Sequence, residues 1–520
     1  MATRPTMRNQ LSLLLGKIET TRGVDAGPTA ADDAFLVSDL DYQLDPTPLE
    51  RNNFQRSFSP TPNPVGRKVV NLTFNHEIKG SGDATARSAL GKLLRACGMS
   101  ETQITAGAAN QIETPVRFGS VQGPDVTWSK DTAPDGSHFG SYLLKVVTGG
   151  GSSTAAIRVY RWEQSQPDDS VLPTDRYDAR VNDSATATLT LDASDLTSLD
   201  FTVGGTVTAG DDLYAVVGGL TFRYTVQAGD ASTDDIASGL AALIDADARL
   251  SASAASSVVT VTFSGNAAAT VVTSGTTEIT LGDSGAGITP TWTGNLVEGQ
   301  EWVVTLYEEA FMYQPTSDND QVETMTLYVY KDGVLHKITS CMGTVTFTGE
   351  SGGLGQAQFE MQGNYIDPVE EPIPLDADLE QTTPPQVELA QMSIAGDQDF
   401  CAQSFTFTLG NQLNLRECMN AQDGYDGTLI TDREPTAQLN PDATYEAYTG
   451  MWGNFSRTTQ FPLHLRVGTE AGNTVRFYTP RANFTGLTYG DRNGITTIEA
   501  EFQLNGLSKA GDDELRVVFV

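Results

Sequence analysis

Ala357-Gln-Phe-Glu-Met-Gln-Gly363 and Ala500-Glu-Phe-Gln-Leu-Asn-Gly506 are two copies of one pattern. Apolar and polar residues alternate in both copies, which is typical of a strand with one buried face. The preceding segments also match in order, namely 326–330, 335–338 and 345–349 in the first block and 463–467, 475–478 and 482–486 in the second. Asp332-Gly333 and Gly472-Asn473 are typical of tight hairpin turns. The sequence therefore predicts a mainly β protein with a duplicated strand block.

A helix is predicted upstream of each block. Asp83 is the predicted N-cap of the first helix and Gly98 its predicted end. The apolar residues of this helix recur at helical spacing and are Ala86, Ala89, Leu90, Leu93, Leu94 and Cys97. The second helix is predicted from Asp442 to Gly453, through Tyr445, Tyr448 and Trp452. Each helix follows a predicted strand, 69–74 in the first half and 427–431 in the second, so one order of elements occurs twice.

The charge balance of the 520-residue chain is strongly acidic. Aspartate and glutamate number 66 against 32 lysines and arginines, which gives a formal net charge of −34. Such a surface repels polyanions and argues against binding to the phosphate backbone of nucleic acids. Two interpretations stay open: a soluble, self-repelling surface, or a surface past which DNA travels without adhering.

The four cysteines are too scattered for a disulfide framework. Cys97 lies on the apolar stripe of the first predicted helix, so we expect a buried thiol. Lys17 interrupts the apolar run at 11–15, which argues against a secretion signal, and no stretch reaches transmembrane length. These features predict folding in a reducing cytoplasm.

The predicted fold has two duplicated β-barrel or sandwich domains, each with one helix, and a nested β-sandwich insertion. The predicted segments are an N-terminal segment and extended arm at 1–66, a first domain at 67–121 plus 311–366, an insertion at 122–310, a linker at 367–385 and a second domain at 386–520. The arm is inferred from the prolines of the polar stretch 20–66, which favour extended chain over a packed element.

The insertion is marked by a change of composition, because no lysine occurs between Lys145 and Lys331. A smaller unit is predicted inside it at about 183–288. That unit has alternating strands at 220–226 and 259–263 and a helix capped by Thr233. The apolar residues of the helix are Ile236, Leu240, Leu243 and Ile244.

Motifs that could carry chemistry have simpler structural explanations. Gly349-Glu-Ser351-Gly-Gly353 matches a hydrolase nucleophile motif but joins two alternating strands, so we expect a hairpin turn. Gly282-Asp-Ser284-Gly285 resembles a serine-protease loop that Ala286 breaks. The histidines lack metal-ligand spacing, and three lie in strand patterns; they are His76, His138, His336 and His464.

Acidic and glycine-rich clusters also fit turns better than sites. Asp318-Asn-Asp320 and Asp423-Gly-Tyr-Asp426 do not follow the twelve-residue calcium-binding pattern. Gly352-Gly-Leu-Gly355 lacks the lysine and the following helix of a phosphate-binding loop. We therefore predict no catalytic, cofactor-binding or metal site, and no enzymatic activity.

Three stretches resemble tail tube proteins of tailed bacteriophages. They are the N-terminal stretch 14–30, the region from Val69 through Gly80-Ser-Gly82 to Gly98, and the region from Asp332-Gly333 through 343–347 to Phe359-Glu-Met-Gln-Gly363. Together they cover about half of the chain. The insertion resembles the immunoglobulin-like domains that phage virion proteins carry on their exteriors.

The resemblance implies a structural virion protein. Its tube domains would supply strands to a continuous β-barrel ring, and stacked rings would form the hollow tail that conducts DNA into the host. The arm would bridge rings, and the acidic residues would line the lumen without binding DNA specifically. Expected partners are further copies of the chain and the tape-measure, terminator and baseplate or tip proteins, in a tail assembled in the host cytoplasm.

The duplication departs from the single-domain family pattern. Family members with one domain form hexameric rings, so two domains per chain predict a trimer with pseudo-sixfold symmetry. The alternative is an acidic, modular β-sandwich adhesin or surface protein, against which the missing signal and the unpaired cysteines argue. A hydrolase is a more distant alternative. The position of Ser351 tests it, because a hydrolase nucleophile would lie at a helix start and not in a hairpin.

Overall fold

The structure is a computed structural model. It describes residues 8, 11–51, 53–54, 56, 62–105, 108–118, 121–132, 140–150, 156–161, 176–180, 189–191, 198–217, 220–247, 250–263, 269–274, 277–281, 286–318, 321–388, 391–394, 401–421, 424–443 and 450–520. Strands make up 54% of the structure, and three α-helices occur within these described residues. The prediction of a mainly β protein is confirmed.

The chain divides into two compact units, which are described separately. Unit 1 comprises residues 1–103, 311–394 and 399–520, and unit 2 comprises residues 104–310 and 395–398. The elements before unit 2 are β1 Ser12–Ile18, β2 Ala34–Phe35, β3 Val37–Pro48, β4 Val65–Glu77, α1 Ala89–Ala96 and β5 Met99–Ile104.

Within its described residues, unit 2 contains short strands, one 3₁₀ turn at Ala109–Gln111 and one helix. Its strands are β6 Val116–Phe118, β7 Val126–Thr132, β8 Gly140–Thr148, β9 Ala156–Arg161, β10 Arg176–Arg180, β11 Leu189–Leu191, β12 Ser198–Gly205, β13 Asp212–Val217, β14 Leu220–Thr225, β15 Leu250–Ala255, β16 Val258–Phe263, β17 Ala269–Ser274, β18 Thr277–Leu281, β19 Ala286–Trp292 and β20 Glu301–Leu306. Its helix α2 is Thr233–Asp245.

Unit 1 resumes after unit 2 and contains the longest strands. They are β21 Ala310–Pro315, β22 Met325–Lys331, β23 Val334–Glu350, β24 Gln356–Tyr365, β25 Val369–Glu370, β26 Gln391–Ile394, β27 Ala402–Thr408, β28 Asn411–Glu417, β29 Tyr425–Arg433, β30 Thr436–Pro441, β31 Phe461–Val467, β32 Val475–Arg492, β33 Ile495–Leu504 and β34 Arg516–Phe519. The last helix, α3, is Met451–Arg457.

Strand pairing in unit 1 repeats one order twice. In repeat 1 the neighbours are β1, β22, β23, β24, β4 and β3. In repeat 2 they are β26, β31, β32, β33, β30 and β27. The helix follows β4 in repeat 1 and β30 in repeat 2. The duplicated segments of the sequence therefore correspond to strands with the same neighbours.

Alternation along these strands explains the core of unit 1. Phe359 and Met361 of β24 are buried, whereas the alternating Gln358 and Glu360 are exposed. The corresponding Phe502 and Leu504 of β33 are buried in the same way. Because successive side chains of a strand point to opposite faces, each strand supplies one apolar face to the core.

The first helix is shorter than predicted. It begins after Ser88, whose hydroxyl accepts a hydrogen bond from the Leu90 amide, and Asp83 is not its N-cap. The Asp83 carboxylate instead accepts bonds from the amide and hydroxyl of Thr85, a local turn that competes with helix. Gly98 lies just beyond the helix with φ of 73°, as expected for a residue that ends one.

The second predicted helix is wrong in its bounds. Residues 444–449, with Tyr445 and Tyr448, lie outside the described residues, and α3 begins after Gly450. Gly453 is inside α3, which continues to Arg457. Thr458 closes the helix in the left-handed conformation with φ of 52°, a role predicted for glycine.

The predicted equivalence of 427–431 with 69–74 is also wrong. Residues 427–431 belong to β29, which forms a two-stranded hairpin with β28. The counterpart of β4 is β30, because β30 pairs with β33 as β4 pairs with β24. The alternation of Thr436-Ala-Gln-Leu-Asn440 was the available signal, whereas Leu429 and Ile430 of 427–431 are adjacent apolar residues.

The proline-rich segment 20–66 contains two strands, β2 and β3, and β2 is buried and pairs with β1. Residues 37–48 form β3, which pairs with β4 from the partners Val37 and His76 to the partners Pro48 and Val65. Pro46 and Pro48 lie at a register shift, where the missing amide hydrogens are tolerated. The prediction of an extended arm is therefore wrong for both β2 and β3.

Residues 366–388 make specific contacts with repeat 1. The Glu380 carboxylate accepts a hydrogen bond of 3.0 Å from the Ala89 amide, and burial raises the pKa of this carboxyl. The Thr382 hydroxyl donates to the Ser81 carbonyl, and the Asp378 amide donates to the Ala30 carbonyl. The segment that joins the repeats is therefore ordered by hydrogen bonds along its length.

Unit 2 contains two separate hydrophobic clusters. One includes Tyr142, Leu144 and Trp302 on β8 and β20. The other packs α2, through Ile236, Leu240 and Ile244, against Phe201 and its neighbours in β12 to β16. Ser232 caps α2 and Thr233 is its first residue, and Leu243 is 40% exposed, so two details of the predicted helix are wrong.

We expect unit 1 to fold without unit 2, because its core is its own and its strands β5 and β21 pair with each other. The test replaces residues 105–309 by a short glycine-serine linker. We predict cooperative thermal unfolding and a near-ultraviolet circular dichroism spectrum typical of fixed aromatic side chains. A non-cooperative transition would show that unit 1 depends on the insertion.

Candidate assembly surface

The two repeats are joined by direct pairing of β23 with β27. The registered partners run from Thr346 and Thr408 to Glu350 and Ser404. β24 and β4 continue the sheet on one side of this seam, and β30 and β33 continue it on the other. We call the eight strands β3, β4, β24, β23, β27, β30, β33 and β32 the central sheet, and the β23–β27 pairing the internal seam.

Aromatic packing supports the internal seam from the core side. The rings of Phe407 and Phe477 stack with centroids 5.2 Å apart, and Phe347 meets Phe477 edge-on at 4.9 Å. Phe347 belongs to repeat 1 and the other two to repeat 2, so this cluster crosses the seam. Such ring pairs each add about 0.5–1.5 kcal/mol beyond burial of their area.

The central sheet ends in two edges. β3 pairs with β4 on one side, and no strand among the described residues pairs with its other side. β32 pairs with β33 beyond residue 482, and within the described part of the chain its opposite side has no partner there. Unpaired strand edges of this kind are templates for another strand.

The two open edges are the counterparts of the two strands of the internal seam. β3 occupies in repeat 1 the place of β27 in repeat 2. The second half of β32 likewise corresponds to the second half of β23. Each chain therefore pairs one copy of this contact internally and leaves both halves of a second copy unpaired.

One face of the central sheet is polar. A row of directly paired residues crosses seven strands without a lysine or arginine: Glu77, Gln356, Thr348, Thr406, Gln438, Glu501 and Gly486. The adjacent row is Ser38, Asn75, Gln358, Thr346, Thr408, Thr436 and Gln503. Apart from the acidic Glu77 and Glu501, these side chains are uncharged, so the face is hydrophilic and free of cations in both rows.

Besides Glu77 and Glu360, carboxylates lie near both open edges of this face. Glu501 and Glu499 lie on β33 near one open edge, and Asp41 lies on β3 at the other. Glu501 leans over β32, because a Cβ atom added to Gly486 would lie 2.7 Å from its Oε2 atom. Arg67 and Arg492 lie further along β4 and β32, where they pair with Glu417 and Asp442.

Ser351 lies in the turn between β23 and β24, so the predicted hairpin is confirmed. Its amide donates to the Gln403 carbonyl at 2.7 Å, and the Gly353 amide donates to the Glu350 carbonyl. A small cavity of about 220 Å³ adjoins this turn and includes the exposed Cys401 in its lining. Residues 282–285 lie outside the described residues.

The histidines do not come together in one site. His76, His336 and His464 lie on β4, β23 and β31, as their patterns predicted, and His138 lies outside the described residues. Among the described residues no group of three histidine, cysteine or acidic side chains could hold a metal ion. Cys97 is buried as predicted, and burial raises the pKa of its thiol.

The acidic motifs are only partly described. Asp318 accepts a hydrogen bond from the Gln321 side chain, and residues 319–320 lie outside the described residues. Asp426 pairs with Arg416 at 3.5 Å, and residue 423 is likewise not described.

No protein-family model matches the chain, and no curated protein matches it. None of the three helices found in the described ranges is long and apolar enough to cross a membrane.

His76 is a buried group with a predictable pH effect. Its Nδ1 atom is 2.7 Å from the Glu77 carbonyl oxygen, its Nε2 atom has no hydrogen-bond partner, and burial lowers its pKa to about 4. The unfolded chain has a histidine pKa of about 6.5, so it binds the proton first as the pH falls. The neutral buried ring therefore stabilises the fold fully above pH 6.5, and this stability is lost between about pH 6.5 and 4.

Replacing His76 by leucine tests this effect, because Leu439 occupies the equivalent position in repeat 2. Between pH 7 and pH 4, we predict that the free energy of unfolding decreases by about 3 kcal/mol less in His76→Leu than in the wild type. Urea denaturation across this pH range measures the difference. Parallel pH profiles of the two proteins would contradict it.

Proposed function

We propose that the protein is a structural subunit that joins copies of itself edge to edge into a closed ring. The observation that carries this proposal is the internal seam, whose two halves recur unpaired on β3 and β32 of the same chain. An interface formed by two different surfaces produces either a ring or an open filament. Pairing β3 of one chain with β32 of the next would remove every open edge of the central sheet.

The repeated pairing order supports a definite ring size. If the contact between chains copies the internal seam, each repeat meets the next with the same rotation. The resemblance to tail tube proteins, which form rings of six domains, then predicts three chains per ring. We therefore propose a homotrimer with pseudo-sixfold symmetry.

The polar face of the central sheet supports a role as the wall of a conduit. Its two rows of threonine, glutamine, asparagine and glutamate residues contain no cation to hold phosphates. We propose that this face lines the lumen of stacked rings, through which phage DNA passes on ejection into the host. The protein would then belong to the virion tail, with tape-measure, terminator and baseplate or tip proteins as partners.

Unit 2 has no part in the proposed ring contact. Its strands form sheets of their own, and β3 and β32 both lie in unit 1. We propose that it corresponds to the immunoglobulin-like decoration that the resemblance implies.

Disulfide trapping tests the edge pairing. In the internal seam Thr348 pairs with Thr406. Their counterparts are Thr488 and Ser38, because Thr488 pairs with Glu499 as Thr348 pairs with Gln356, and Ser38 pairs with Asn75 as Thr406 pairs with Gln438. The Cα atoms of paired residues in antiparallel strands lie about 4.5–5.5 Å apart, within the range of Cα distances that a disulfide spans.

We predict that Ser38→Cys/Thr488→Cys, in a chain with Cys401→Ser and Cys418→Ser, forms disulfides between chains on mild oxidation. Covalent trimers should appear on non-reducing gels, because a closed ring offers three such bonds. The matched control is Thr348→Cys/Thr406→Cys, which should form its disulfide within one chain. A control that oxidises internally beside a Ser38→Cys/Thr488→Cys variant that stays monomeric at assembling concentrations would contradict the proposal.

A further inference from the structure

The contact proposed between chains differs in charge from the internal seam that it copies. Asp41 pairs with Thr73, and Thr73 pairs with Glu360. The same row in repeat 2 passes from Gln503 through Thr436 to Thr408. Thr408 is therefore the uncharged counterpart of Asp41.

Glu501 differs from its counterpart in the same way. Ala357 and Ala500 are equivalent positions of the duplicated pattern, so Gln358 of β24 corresponds to Glu501 of β33. Thr346 pairs with Gln358 and Gly486 pairs with Glu501, so Gly486 takes the place of Thr346. The internal seam thus has threonine, threonine and glutamine where the contact between chains has aspartate, glycine and glutamate.

These differences between the two contacts would place two carboxylates close together. Thr346 pairs with Thr408 across the internal seam, so Gly486 would pair with Asp41 of the neighbouring chain. Glu501 leans over Gly486, with its Oε2 atom 2.7 Å from where a Cβ would stand. Neighbouring strands lie about 4.8 Å apart, so the Asp41 and Glu501 carboxylates would be close neighbours on the polar face.

We propose that the like charges of Asp41 and Glu501 oppose association between chains, so that ring formation is controlled by screening of this pair. The inference rests on the proposed edge pairing. Both side chains are exposed, so salt screens their repulsion, whose range falls from about 10 Å at 0.1 M to about 3 Å at 1 M ionic strength. The internal seam forms without this barrier, because its counterparts Thr408 and Gln358 are uncharged.

A charge-reversal cycle tests the pair. The variants are Asp41→Lys, Glu501→Lys and the double variant, compared with wild type by analytical ultracentrifugation at low and high salt. At low salt we expect each single variant to assemble at a concentration about fivefold below that of the wild type, because repulsion becomes attraction. The double variant should return towards the wild-type concentration, since two lysines repel again.

The double variant separates this pair from a general charge effect. If only the net charge of −34 mattered, the double variant would assemble more readily than either single variant. That result, or equal assembly of all four proteins at low salt, would overturn the inference while leaving the edge pairing intact. The control Asp376→Asn/Glu470→Gln neutralises two exposed carboxylates outside the central sheet and should stay close to wild type.

The same cycle distinguishes failure of this inference from failure of the proposed function. If all variants and the wild type remain monomers at every salt concentration, the ring proposal fails and this inference fails with it. If the wild type assembles and the two substitutions show no coupling, only the inference about the Asp41 and Glu501 pair is wrong. Assembly of wild type at high salt, with coupling confined to low salt, is the predicted result.

Discussion

The pairing of β23 with β27 is the contact on which the architecture of unit 1 depends. It joins two repeats into one sheet and satisfies the backbone groups of two strands that would otherwise be edges. The aromatic cluster of Phe347, Phe407 and Phe477 buries the apolar side of this junction, and the polar rows cover the other side. Because the repeats share one pairing order, the same contact implies that β3 and β32 are its unpaired halves.

This arrangement links the duplication to assembly. A single-repeat protein would present the same contact only to other copies of itself, whereas in the proposed ring half of the contacts would form within the chain. Covalent connection lets the internal seam form at a high effective concentration, without association between chains. The contact proposed between chains would lack this advantage and would carry a like-charge pair as well, so the two seams would differ in strength although they would share a geometry.

The strands around the duplicated pattern could be predicted from the sequence. One face of β24 and of β33 is buried and the other is exposed, so their apolar residues must alternate, as in Ala357-Gln-Phe-Glu-Met. The helix ends were less predictable because Asp83 forms a turn with Thr85 before the helix begins. β3 was missed because Pro46 and Pro48 obscured the alternation of Leu40, Tyr42 and Leu44, which was the available signal.

The assembly surface could not be predicted to the same extent. Whether a strand edge is open depends on its neighbours in space, and both 427–431 and 436–441 lie in strands although only the latter segment enters the central sheet. The resemblance to tail tube proteins implies acidic residues along a lumen, but the sequence alone cannot select them. The selection of Asp41 and Glu501 depends on register, because a shift of one residue would turn both to the core.

Counting the chains in an assembled ring tests the central claim most directly. We would purify the full chain, raise the salt to promote association, and determine the ring stoichiometry by electron microscopy with native mass spectrometry. The account predicts rings of three chains with six similar sheet segments around a channel. Rings of six chains, or assemblies in which β3 and β32 stay unpaired, would contradict it.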